Sequence, residues 1–129
     1  MYDPSPTICP ICAGKVIYTP MKAVGIKPFE SGKCYYCTSC KAFVSTHRNK
    51  PQYALGVLAD GKTRKMRIIC HKEFDKHWQS TRGKNLFYFM LAKTLKIKKD
   101  DCHFGYMTFQ ELNNALNVMQ NELKDVYIK

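Results

Sequence analysis

The 129-residue chain has no apolar run approaching the roughly 18 residues that a membrane-spanning helix requires. Its first ten residues, MYDPSPTICP, lack the basic start and apolar core of a secretory leader, so a soluble, cytoplasmic protein without a membrane partner is expected. Acidic residues are scarce: 10 Asp+Glu stand against 21 Lys+Arg. None cluster as the paired carboxylates that hold Mg²⁺ for phosphoryl transfer, which argues against a nuclease. No G-x-x-x-x-G-K-S/T or G-x-G-x-x-G loop is present, so neither common nucleotide cradle is predicted. Internal repeats and low-complexity tracts are also missing.

Cysteine, by contrast, is plentiful. There are seven, an odd number, and in a reducing compartment that number argues for metal rather than a disulfide framework. Five of them lie before residue 41. Cys9-Pro10-Ile11-Cys12 is a tight C-x-x-C turn, followed by the small residues Ala13 and Gly14, which let the backbone curl. The second cluster, CYYCTSC, holds two overlapping pairs, Cys34 with Cys37 and Cys37 with Cys40. Turn chemistry separates them. Thr38-Ser39 suits a knuckle, whereas Tyr35-Tyr36 suits a strand. The expected ligands of one structural Zn²⁺ are therefore Cys9, Cys12, Cys37 and Cys40, with Cys34 a small buried apolar residue. Four thiolates leave no open position for water, so no enzyme is expected from this site.

The texture of the chain changes near residue 50. Before it, short β-type runs at 15–19, 33–37 and 42–46 flank the cysteine turns, with a loop over 20–32. After it, helical periods dominate. A helix is predicted from an Asp60 cap to about residue 79, with Met66, Ile69, Cys70 and Phe74 inward. Thr81-Arg82-Gly83 reads as a break. A second helix over 84–97 is expected to turn Leu86, Phe89, Met90 and Ile97 inward. Thr108 and Glu111 form a T-x-x-E capping box that opens a third helix, with Leu112, Ala115, Leu116, Met119 and Leu123 as its apolar face. The fold class is thus α+β: an N-terminal four-cysteine zinc ribbon of short antiparallel strands (residues 1–50) packed on a C-terminal three-helix module (residues 51–129) in one globular unit.

The net charge of +11 is concentrated. Residues 62–99 contain twelve Lys or Arg against Glu73 and Asp75. A basic field on one segment suits a polyanion or an acidic protein surface. The expected nucleic-acid-binding residues are Lys62, Arg64, Lys65, Arg67, Lys72, Lys76, Arg82 and Lys84, with DNA or RNA as partner. The four histidines include His71, which lies four residues before Asp75 on one helix face. His47, His71 and His103 form a possible second site for a phosphate, a metal or acid–base work; the other reading makes them structural hydrogen-bonders to backbone and Asp75.

Cys9 to Cys12, then CTSCKAFVSTH (Cys37 to His47), ALGVLAD, Arg67 with HKEFDKHW, FYFMLAKTL and CHFGYM together resemble the zinc-finger-containing domain family of unknown function found in phage and bacterial genomes. The resemblance runs over residues 8–119 and implies the Cys37/Cys40 pair. It carries no catalytic activity, and Cys34 is outside its pattern. A phage origin would place the protein in the host cytoplasm, where a host protein is the alternative partner.

Overall fold

The computed structural model describes residues 2–129 and divides into two compact units, one running to Lys62 and one comprising Thr63–Lys129.

In the first unit, strands β1 (Val16–Pro20), β2 (Lys33–Cys37) and β3 (Phe43–Ser45) form an antiparallel sheet in that order. β2 is central, with Cys37 opposite Val16 and Cys34 opposite both Thr19 and Ser45. Its Cys-Tyr-Tyr-Cys run buries residues on both faces, which suits a middle strand. The chain after β3 returns along its outer edge, through bridges Thr46–Ala54 and Phe43–Ala59. That return covers an edge that would otherwise expose unpaired backbone groups. The expected loop over 20–32 begins with a 3₁₀ turn, Met21–Val24, which buries Met21 completely. The core is small: Cys9, Val16, Tyr35, Cys37, Ala42, Val44, Ala54 and Leu58.

Helix α1 (Gly61–Asp75) leads into the second unit, which also contains α2 (Thr81–Leu95) and α3 (Phe109–Gln120). Its core is built from larger side chains, including Phe74, Phe87, Leu91, Phe104, Leu112 and Met119. The capping box at Thr108 is formed: the Glu111 N–H donates to Thr108 Oγ1 at 3.3 Å, and the Thr108 N–H donates to Glu111 Oε1 at 3.0 Å.

Three helix expectations are corrected. α1 ends at Asp75, because the chain around Trp78 pairs with the C-terminal segment: the Gln79 N–H donates to the Ile128 carbonyl at 2.9 Å, and the Ile128 N–H to that of His77 at 2.9 Å. Thr81-Arg82-Gly83 is the first turn of α2, where Ser80 Oγ accepts the Gly83 N–H at 3.1 Å as an N-cap. Gly83 is needed for close approach, since a Cβ there would lie 2.8 Å from the Ile128 carbonyl oxygen. The inward faces also differ. α2 buries Phe87, Leu91 and Ala92, while Leu86, Phe89 and Ile97 are exposed; Met90 packs at the core's margin. On α1, Ile69 is exposed, and the buried residues are Thr63, Cys70 and Phe74.

Candidate metal centre

The two cysteine turns are built alike. In each, the residue after the second cysteine returns its N–H to the first cysteine's carbonyl: Ala13 to Cys9 at 2.9 Å, and Lys41 to Cys37 at 3.0 Å. That residue adopts a left-handed conformation in both, with φ of 62° at Ala13 and 68° at Lys41. The next residue accepts the first cysteine's N–H, Gly14 from Cys9 and Ala42 from Cys37. Backbone N–H groups then point at sulfur. Ile11 donates to Cys9 Sγ at 3.4 Å, Gly14 to Cys12 Sγ at 3.3 Å, and both Ser39 and Cys40 to Cys37 Sγ at 3.4 Å.

The sheet brings the turns face to face. Cys9 Sγ lies 3.6 Å from Cys40 Sγ, and Cys12 Sγ lies 3.4 Å from Cys37 Sγ. All four sulfurs fall within 4.8 Å of one another. Cys9 and Cys37 are buried, Cys12 and Cys40 exposed. Sulfurs this close compete for protons. Burial pushes the Cys37 thiol up, but the Cys40 and Ser39 N–H groups outweigh it and bring it to about 6. The Ala42 N–H lowers the Cys40 thiol, yet burial and the neighbouring sulfurs drive it to about 12. Burial likewise raises Cys9. Four thiolates crowded together need a cation, and four sulfur donors suit Zn²⁺. Such a metal would be held by Cys9, Cys12, Cys37 and Cys40 and would tie the two turns together.

Cys34 stands apart. It is fully buried on β2, and burial raises its thiol to about 11. Cys70 and Cys102 are buried in the helical unit, and Cys70 Sγ donates to the Leu112 carbonyl at 3.4 Å.

Gly14 sits where the two turns meet. A Cβ there would lie 2.6 Å from Ser39 Oγ and 3.0 Å from Cys37 Sγ. Gly14→Ala should therefore force the turns apart at a cost of about 1–3 kcal/mol, weakening zinc affinity by roughly tenfold or more. Chelator competition measures this. Ser39→Gly in the same chain should restore part of the loss, and an unchanged affinity in Gly14→Ala alone would count against the packing.

The basic residues fall in the helical segment. On α1, at about 100° per residue, Lys65 and Lys72 lie within about 20° of each other, opposite the buried Cys70 and Phe74, while Lys62 lies about 80° from Cys70. All three are exposed, as are Arg64, Lys76 and Arg82. Arg67 is half-buried and donates from Nη2 to the Gly105 carbonyl at 3.1 Å. Lys84 Nζ sits 5.6 Å from the Trp78 ring centre.

His47 belongs to the first unit and His71 and His103 to the second. His71 packs edge-on against Phe104 at 4.9 Å, and burial lowers its pKa, partly offset by the Asp75 carboxylate. His103 rests against Tyr106 at 4.8 Å. Among the described residues, the four cysteines are the group placed to hold a metal. The well-partnered histidine is one that sequence reasoning passed over. His77 is 3% exposed; its Nε2 lies 2.8 Å from Glu73 Oε2, its Nδ1 lies 2.8 Å from the Val126 carbonyl, and its ring stacks on Phe87. The H-x-x-x-D spacing had drawn attention to His71 and Asp75, but E-x-x-x-H places Glu73 and His77 on one face by the same rule.

Sequence reasoning also passed over a surface hollow on α2. Arg82, Asn85, Leu86, Phe89 and Lys99 line about 610 Å³, with Phe89 55% exposed. The signal for it was an aromatic interleaved with basic residues at helical spacing.

A sheet-borne pair of cysteine turns followed by three helices defines a small zinc-finger protein. The chain belongs to the zinc-finger-containing domain family, which matches residues 5–122. No curated protein and no solved structure matches the chain. Among the described residues, no helix is long and apolar enough to cross a membrane.

Proposed function

We propose that the chain is a cytoplasmic nucleic-acid-binding protein, not an enzyme, stabilised by one structural zinc. The observation that carries this reading is the basic stripe of Lys65 and Lys72 on α1, directed away from the core. A row of lysines on a rigid helix matches a phosphate backbone, where affinity comes from charge and the release of counterions. The α2 hollow supports the same reading. Exposed Phe89 offers a face on which a base can stack, and Arg82 and Lys99 border it. The four cysteine thiolates would fill the zinc's shell and leave no exchangeable position, so its part is structural.

A titration of labelled DNA and RNA against salt tests this. Binding in the micromolar range or tighter at about 50 mM salt, falling steeply with added salt, is expected. An absence of binding at that salt would refute it. The alternative, a phage-type module that docks on an acidic host protein, rests on the same cations and on exposed Ile68 and Ile69 beside them. A stoichiometric protein partner that survives nuclease treatment of a host lysate favours that second reading.

A further inference from the structure

The loop that follows β3 carries four exposed polar residues in a row, His47-Arg48-Asn49-Lys50. Its backbone is held with unusual thoroughness. The His47 N–H donates to the Tyr53 carbonyl at 3.0 Å and the Tyr53 N–H to that of Lys50 at 2.9 Å, closing the loop on itself. Three tyrosine hydroxyls then pin the chain just beyond it. Tyr18 donates to the Pro51 carbonyl at 2.9 Å, Tyr35 to that of Gln52, and Tyr2 to that of Ala54. Tyr18 and Tyr35 come from β1 and β2, so the loop is anchored to the sheet.

The loop borders an open hollow of about 780 Å³, whose lining includes Tyr2, His47, Arg48, Lys50, Tyr53 and Leu55. Tyr53 and Leu55 supply apolar wall, while Arg48 and Lys50 supply positive charge. The one acidic residue of the lining, Glu30, meets Arg48 Nε at 3.4 Å. That contact is exposed and uses only Nε, so the terminal nitrogens of Arg48 are further donors for a phosphate. A concave site with an aromatic wall and a cationic rim on a hydrogen-bonded loop suits a ligand with a flat ring and a phosphate.

We infer that the hollow beside residues 47–53 is a second nucleic-acid subsite, which takes one nucleotide of a single strand with its phosphate on Arg48 and Lys50 and its base against Tyr53. It rests on the nucleic-acid reading but uses residues of the other unit, so the two can fail separately. A single strand is favoured because its bases are free to enter a hollow, whereas a duplex keeps them stacked inside.

The test is fluorescence anisotropy of the full chain with a labelled oligothymidylate of about a dozen nucleotides, at several salt concentrations. Arg48→Ala with Lys50→Ala should weaken binding about tenfold and reduce the salt slope by between about one and two. Tyr53→Ala should weaken it about fivefold or more with the slope unchanged, and Tyr53→Phe should restore it. Retained zinc and an unchanged circular dichroism spectrum show that each variant is folded. Loop variants that bind like the unaltered chain overturn the inference. If Lys65→Ala with Lys72→Ala weakens binding in that case, the nucleic-acid reading survives alone. If only the loop variants lose affinity, the subsite stands and the α1 stripe does not. Equal competition by polyglutamate, or no binding by the unaltered chain, overturns the subsite.

Discussion

Cys9→Ser or Cys40→Ser should lose the zinc and unfold the cysteine-bearing unit, whereas Cys34→Ser should keep the metal. The first unit's core is too small to explain its order alone. Of the twelve buried apolar residues described in this unit, three are cysteines, the ligands Cys9 and Cys37 among them, and three more are alanines. Units with so little apolar burial depend on a metal or disulfides, and no disulfide joins the cysteines among the described residues. A structural zinc contributes an apparent 10–16 kcal/mol, roughly, to folding at neutral pH, more than such a core supplies. Serine offers a poorer donor and leaves three sulfurs to hold the ion. The expected result is metal content falling from one equivalent towards zero, with proteolysis spreading through the residues before Lys62. Cys34 is buried between Thr19 and Ser45, outside the sulfur cluster, so its serine variant should lose only about 1–2 kcal/mol of stability. Zinc retained by Cys40→Ser and lost by Cys34→Ser would reverse the assignment of CYYCTSC.

The second large effect is electrostatic. If the helical segment neutralises about six phosphates, affinity for duplex DNA should fall roughly a thousandfold between about 50 and 200 mM salt. Lys65→Ala, Lys72→Ala and Lys76→Ala together should reduce the log–log slope by about two to three, since each phosphate contact contributes about 0.9. These residues are exposed, and the Lys76 side chain, 71% exposed, meets Glu73 at 3.6 Å. Glu73 is itself largely buried but keeps its 2.8 Å contact to His77 when Lys76 is removed, so the triple variant should melt within about 1 kcal/mol of the unaltered chain. A slope unchanged by all three substitutions would remove α1 from the contact surface.

Features governed by neighbouring residues were legible in the sequence. The choice between Thr38-Ser39 and Tyr35-Tyr36 as the knuckle is settled by turn and strand preferences, and β2 begins and ends where its composition places it, at Lys33–Cys37. The capping box at Thr108 and Glu111 is equally local. The helix faces were not legible to the same degree. In α2 the six residues from Leu86 to Leu91 are all apolar or aromatic, so hydrophobic periodicity defines no single stripe. Packing against Phe74 and its neighbours selects Phe87 and Leu91 and leaves Leu86 and Phe89 outside. The end of α1 depends on a partner about fifty residues away, Ile128, and Gly83 is small for the same distant residue. The clamp on the loop at 47–53 likewise comes from Tyr2, Tyr18 and Tyr35, which no local pattern connects to it.

The central claim is that Cys9, Cys12, Cys37 and Cys40 together hold one zinc that organises the first unit. X-ray absorption at the zinc edge of the purified chain tests it most directly. Four sulfur neighbours at about 2.3 Å, with no nitrogen or oxygen in the shell, are predicted. A shell containing a histidine nitrogen or a water oxygen, or one unchanged in the Cys40→Ser variant, would contradict it.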